Sequence, residues 1–295
     1  MIKTQADLTM IKTVIKVKSL HRHPVKSLRG QAVSTAKITP NGLAGDRQFM
    51  LVDADGKFVT ARTTPKLLTL VPDVADGKIS ITDATGDVFS CSATPSTDPT
   101  VDVKVWGDDI NGADLGDGAA AWLSSAIGKQ VRLLAVADAS VRRGPMRGTP
   151  KSFADMAPLL LFSTASLDDL NSKLDKPLGL ESFRPNIVLE GVDKAFDEDF
   201  WGVIKIGEVE MEVAWGCGRC VLTTLDPMTG AKSKSQEPIR SLNAYRRGPD
   251  NQVYFGQNVI PLSSGTIRVG DVVEVLSRKE RPFYMEDVYM EDVRP

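Results

Sequence analysis

The chain has 295 residues, 42% of them hydrophobic and 25% charged, with a formal net charge of −2; this is an ordinary balance for a soluble globular protein of one large or two medium domains. The near-neutral charge gives no basic footprint for nucleic acid, no apolar run approaches the ~18 residues of a membrane span, and Met1 to Met10 lack the apolar core of a secretory signal. Three cysteines are too few for a disulfide framework, and two histidines, His21 and His23, are too few for a multi-histidine zinc site or an H-E-x-x-H helix.

The first predicted strand covers residues 12–20, which alternate. A loop bracketed by Pro24 and Gly30 follows and holds Lys26, Ser27 and Arg29, with Arg22 just before it. Basic groups plus a hydroxyl in such a loop suit an anion such as phosphate, although a solvated basic loop is the commoner outcome. Residues 32–39 read as a strand, and Pro40 to Gly45 as a turn. Asp55-Gly56 predicts a hairpin between strands 49–53 and 57–62, with Arg47 and Arg62 flanking its arms, either reaching one end of the sheet to face the Lys26 loop or standing as the surface residues that hairpin arginines usually are. Short strands at 69–74, 78–82, 87–90 and 101–106 suggest a small barrel or sandwich, broken at Gly107-Asp108-Asp109. Cys91 reads as structural. The period then changes to helical over 118–127, with Gly128 as the stop, and strand returns at 131–135. The Gly/Pro/basic run 138–152 is the expected boundary or lid.

Residues 158–164 read as a buried strand, and Ser166 as the N-cap of a helix with Asp169 completing a capping box. Ser163, Thr164 and Ser166 at this helix start are a candidate anion seat, weighed against an ordinary capped helix. Arg184 and Asn186 sit at the mouth of a strand running to Leu189. A hairpin centred on Gly207 (201–206 and 208–214) delivers the chain to Cys217 and Cys220. A short helix over 237–247, strands over 253–260 and 266–275, and an acidic tail, disordered or docked at an edge, complete the chain.

The stretch Trp215 to Gly230 carries the most chemistry. Arg219 lies between Cys217 and Cys220, and a β-rich run, Val221 to Leu225, leads to the turn Asp226 to Gly230. A fixed positive charge beside a thiol favours the thiolate, the form that attacks or binds metal. The alternative is that both cysteines are small buried hydrophobes. Asp226 is either a proton-handling group or an Asx residue starting the turn before Pro227.

Taken together, HPVKSLRG at 23–30, GDRQFMLVD at 45–53, TAR at 60–62, FRPNIV at 183–188, CGRCVLTTLDPMTG at 217–230, FGQN at 255–258 and GTIRVGD at 265–271 make the chain resemble the MOSC superfamily. Within it, the chain resembles the mitochondrial amidoxime-reducing component and its bacterial relatives. It implies a mainly β (α+β) fold: an N-terminal β-barrel domain over 12–135, a MOSC β-barrel core over 136–277 and an acidic tail over 278–295. It implies a molybdenum cofactor (Mo-molybdopterin) whose metal is ligated by Cys220. Lys26, Ser27, Arg47, Arg184 and Asn186 fall on the family's cofactor-holding positions, and Thr223, Thr224 and Asp226 match its polar positions after the cysteine. Arg62, Ser163, Thr164 and Arg219 join the expected cofactor-binding set from the residue-level reading. The implied reaction is the two-electron reduction of N-hydroxylated compounds: amidoximes, hydroxylamines and N-hydroxylated bases. No cluster cysteines follow the core, so electrons are expected from a separate ferredoxin- or cytochrome b5-like donor with its reductase. A cytoplasmic location, no membrane and no stable nucleic-acid partner complete the expectation. Gly216 and Gly218 replace bulkier residues of the family pattern and predict a more flexible cysteine loop.

A soft thiolate among cations is compatible chemistry for a metal held by a phosphorylated pterin. Two competing readings stay in view. One is a sulfur carrier or transferase with a persulfide on Cys220 resolved by Cys217. The other is a cofactor-delivery protein without turnover.

Overall fold

The computed structural model describes residues 13–94, 100–137, 143 and 148–291, backbone only at 289–291. The expected boundary loop at 138–152 falls largely outside the described residues, as do Met1 to Met10. The fold is mainly β, with four α-helices among the described residues.

The central sheet has eight strands, in the order Val273–Val275, Val203–Ile206, Val209–Gly218, Tyr254–Pro261, Leu159–Ser163, Ile187–Glu190, Lys16–Arg22 and Gln31–Val33. One pair is parallel, Leu159–Ser163 with Ile187–Glu190, and it needs the crossover that the helix Thr164–Asn171 supplies. Two of the eight strands come from before residue 135 and six from after it. The N-terminal strand Lys16–Arg22 pairs with Ile187–Glu190, and Thr35–Thr39 pairs with Gly265–Arg268. The two halves of the chain are therefore laced together by ladder hydrogen bonds. Ile204, Ile206, Met211, Val213, Leu161 and Val17 fill the core beneath this sheet and are at most 1% exposed. A four-stranded sheet (Phe49–Val52, Arg132–Val136, Asp108–Asp114, Thr100–Val105) and a three-stranded one (Val71–Ala75, Lys78–Thr82, Val88–Ser92) belong to the first half alone. The helix Asp117–Ile127 packs on them through Ala119, Leu123 and Ile127 and ends at Gly128 in the left-handed region (φ 75°), as its sequence predicts.

Several expectations are corrected. Residues 57–62 form only the start of a hairpin arm: Asp53 N–H donates to the Lys57 carbonyl at 2.9 Å and Val59 N–H to the Leu51 carbonyl at 2.8 Å, after which the Thr60 hydroxyl accepts from the Arg62 N–H at 3.1 Å to start a turn. Asp108–Asp114 is a strand despite its Asp-Asp start, pairing fully with Thr100–Val105. Val221–Thr224 is a 3-10 turn rather than a strand; the Thr223 and Thr224 hydroxyls bond the carbonyls of Cys220 and Val221 at 3.0 and 2.8 Å, which tightens the chain locally. The run 266–275 divides into Gly265–Arg268 and Val273–Val275. The tail is docked rather than loose: the helix Met285–Glu291 buries Met285 and Val288 against Ala214, Trp215 and Tyr254. Among the described residues, no helix is long and apolar enough to cross a membrane.

Candidate active site

A cleft of about 370 Å³ opens where the halves meet, and Lys26, Arg47, Arg62, Trp106, Asp155, Arg184, Asn186, Cys217, Arg219 and Cys220 are among its lining residues. Asn186 is the fixed point on which it is built. Fully buried at the mouth of Ile187–Glu190, its backbone N–H donates to the Leu160 carbonyl at 2.8 Å. Its side-chain oxygen accepts from Arg47 Nη1 and from the Leu160 N–H, both at 3.1 Å, and its amide donates to the His21 carbonyl. The loop after Lys16–Arg22 is clamped next to it. His23 donates its backbone N–H to Asp46 at 2.7 Å, and its ring Nε2 meets the Pro185 carbonyl at 3.0 Å. Gly30 makes this possible, because a Cβ there would lie 2.4 Å from the imidazole. Lys26, 6% exposed, then donates to the Phe153 carbonyl at 2.8 Å and pairs with Asp155.

Backbone strain gathers at this place. Eight non-glycine residues among those described have φ between 47° and 71°, and four of them (Ser27, Arg47, Trp106 and Arg184) line the cleft. Such conformations cost of order 1–3 kcal/mol each and persist where the surroundings over-determine them.

The cysteine motif arrives on Val209–Gly218, whose pairing with Tyr254–Pro261 slips twice, between Val213 and Trp215 and between Gly216 and Gly218. Bulges of this kind re-aim side chains beside functional sites. Gly216 lies within the strand, and a Cβ would come 2.8 Å from the Tyr254 ring, so the glycine serves close approach. Cys220 follows, half-buried, and its sulfur accepts from Arg62 Nε at 3.2 Å. The cation expected beside Cys220 was Arg219. Arg219 instead donates to Cys217 Sγ at 3.0 Å and to the Phe183 carbonyl at 2.7 Å, with Arg62 taking its place at Cys220. All three cysteines are free.

The electrostatics are lopsided. Lys26, Arg47, Arg62, Arg184 and Arg219 line the cleft, against Asp155 in the lining and Asp46 paired beneath Arg47. Burial, and then the Arg47 guanidinium, push Arg184 down to about 9. Burial works to raise the Asp155 carboxyl, but Lys26 and Arg62 hold it well below the usual carboxylate range. Arg219 Nε and His23 Nδ1 are buried without a hydrogen-bond partner. Buried donors and unevenly matched cations are costly until an anion meets them.

Three expected site residues lie elsewhere. Ser163, not Ser166, caps the helix Thr164–Asn171, accepting from the Ser166 N–H at 3.1 Å. Neither Ser163 nor Thr164 lines the cleft. The anion at that helix start is internal: Glu198, 1% exposed, accepts from the Ser163 N–H and from the Ser163 and Ser166 hydroxyls. Asp226 is exposed and takes the turn reading, accepting from the N–H groups of Met228 and Thr229 at 2.8 Å; those bonds lower its pKa. Asp155 and Trp106 are the site residues that the sequence did not disclose. Asp155 binds Lys26, Arg62 and the Trp106 indole together, and no local pattern around it announces that role.

Two family models match the chain: the MOSC N-terminal beta barrel domain over residues 14–130 and the MOSC domain over 148–274. Human mitochondrial amidoxime-reducing component 1 is 36% identical over 290 residues, covering 91% of this chain and 85% of the relative. The zebrafish protein of the same name is 33% identical over 287 residues, covering 92% and 87%. Rat mitochondrial amidoxime reducing component 2 is 34% identical over 298 residues, covering 92% and 85%.

Proposed function

The chain belongs to the MOSC-domain family together with the amidoxime-reducing components, and from that premise we propose that it is a molybdenum-cofactor oxidoreductase that reduces N-hydroxylated compounds. The observation that carries the reading is one cleft holding a cysteine sulfur under an arginine N–H, lined among the described residues by five cations and, with Asp46 beneath Arg47, two carboxylates. The donor set fits a metal that arrives inside an anionic organic group. Among the described residues, no three His, Cys, Asp or Glu side chains gather to hold a metal ion by themselves. A single soft thiolate with several cations suits a cofactor that brings its own remaining ligands and a phosphate.

Cys220 would ligate the metal, and Lys26, Ser27, Arg47 and Arg184 would hold the anionic part. When bound, the cofactor supplies the two-electron redox couple. The chain's own residues orient and screen it. Asn186 fixes the Arg47 guanidinium at 3.1 Å. Asp155 fixes Arg62 at 3.0 Å, so that Arg62 Nε stays on the Cys220 sulfur, an outer contact of the kind that orients metal ligands. Thr223 closes the 3-10 turn behind the cysteine. Electrons would come from a separate donor protein, and the substrates would be small.

Production in a host competent for molybdenum-cofactor synthesis tests the reading, with molybdenum and pterin measured beside the Cys220→Ser variant. Near-stoichiometric molybdenum, lost in the variant, is the expected result. Metal-free protein bearing cyanide-releasable sulfur would replace the reading with persulfide chemistry at Cys220. Metal-replete protein that reduces no N-hydroxylated compound would replace it with cofactor delivery.

A further inference from the structure

Trp106 is the lining residue that the cofactor reading leaves without work. It is 50% exposed, unusually open for the largest side chain. It also occupies a conformation that its backbone resists. The strands Thr100–Val105 and Asp108–Asp114 pair Val105 with Asp108, leaving a two-residue loop, Trp106-Gly107, with Trp106 at φ 59°. Such a position favours glycine or asparagine, and a bulky side chain there is an outlier that asks for a reason. The companions of Trp106 in this conformation within the cleft, Ser27, Arg47 and Arg184, all belong to the proposed cofactor set.

The indole is also pinned. Its N–H donates to Asp155 at 3.1 Å. The Arg62 guanidinium lies 4.7 Å from its ring centre, and Phe58 packs edge to face at 5.0 Å. Lys26 in turn lies 5.7 Å from the Phe58 ring. Cation and aromatic alternate along this wall, and Arg62 ties its end to the Cys220 sulfur. Phe153, Met156, Ala157 and Leu222 make other parts of the lining apolar. A ring so held loses little freedom when a flat molecule lies against it, so its open area is available for contact at low entropic cost.

We infer that Trp106 is a substrate-contacting residue that selects planar, conjugated N-hydroxylated compounds, such as aryl amidoximes and hydroxylated heteroaromatic bases, over aliphatic ones. This rests on the reductase reading. An aryl amidoxime carries its ring conjugated to the reacting N–O group, and Trp106 lines the same cleft as Cys220.

The test compares benzamidoxime with acetamidoxime, which share the reacting group and differ in the ring. Molybdenum-loaded wild type, Trp106→Ala and Trp106→Phe are assayed with reduced methyl viologen as electron source. Benzamidoxime binding to the same proteins is measured by equilibrium dialysis. In Trp106→Ala, the benzamidoxime-to-acetamidoxime ratio of kcat/KM falls about fivefold, through KM, as an aromatic contact of ordinary strength requires. The dialysis Kd rises by a similar factor, and Trp106→Phe keeps most of both. A ratio that stays within twofold overturns the inference, as does an equal loss for both substrates, which would mean that Trp106 acts only by holding Arg62. If the wild type reduces neither compound, the reductase reading fails, and the dialysis result alone then decides the role of Trp106.

Discussion

Two polar clusters in this molecule use similar residues for opposite ends. Around Glu198 the charged groups have internal partners, although the buried Gln257 Oε1 beside them has none. Ser163 and Ser166 give it N–H and hydroxyl donors between 2.7 and 3.1 Å, and its neighbour Asp199 takes Arg246 and Gln257 at 2.6 Å. In the cleft, cations exceed carboxylates among the described residues, and Arg219 Nε has no partner. The Glu198 cluster is buried, whereas the cleft cations Arg47, Arg62, Arg184 and Arg219 are only partly so. What separates a structural network from a binding site is the remainder after internal pairing, which residue type and local spacing do not reveal.

The sharpest break in that comparison is Cys220→Ser, which should lower molybdenum content at least tenfold while the denaturant midpoint holds. Glu198→Ala should act the other way round. It strips buried donors of their acceptor and should cost roughly 3 kcal/mol in urea unfolding, with metal content per folded molecule retained. Arg184→Gln should lower cofactor retention through gel filtration about tenfold, or about 1.4 kcal/mol. It should change stability by less than about 1 kcal/mol, because the lost bond to the Leu28 carbonyl (2.6 Å) is offset by relief of repulsion with Arg47.

His23 gives a smaller, pH-dependent effect. Burial, then Arg184 and Arg47, hold its pKa well below 6.5. The unfolded chain therefore takes up a proton before the folded one does, so stability is full above 6.5 and declines as pH falls towards the folded value. The slope from this residue should be at most about 1.4 kcal/mol per pH unit, and His23→Gln should remove it, as measured by urea midpoints at a series of pH values. Asp226→Asn should do least, with less than a twofold change in kcat/KM for benzamidoxime; a tenfold loss would restore the proton-handling role.

Much of this was legible in the sequence. Lys26, Ser27, Arg47, Arg62, Arg184, Asn186 and Cys220 converge on one cleft because turn residues place them at strand ends. The misreadings share a cause: a tertiary partner or local hydroxyl overrode the pattern. Val221 to Leu225 has strand composition, yet two threonine hydroxyls bond backwards and wind it into a 3-10 turn. Ser163 and Thr164 stand where an anion belongs, and the anion is Glu198, more than thirty residues further along the chain. Asp155 lies far in sequence from both its cations, Lys26 and Arg62.

The lacing of the two halves bears on biosynthesis. The cleft gathers residues from Lys26 to Asn258, and its cysteine strand is held in register by Tyr254–Pro261. A nascent chain that has emerged from the ribosome only as far as Cys220 carries that cysteine but lacks the strand that aims it. The cleft is therefore completed only late in synthesis, and contacts this distant in sequence make the fold slow to form. Until those last strands pair, the residues that line the cleft are not yet held together in one place.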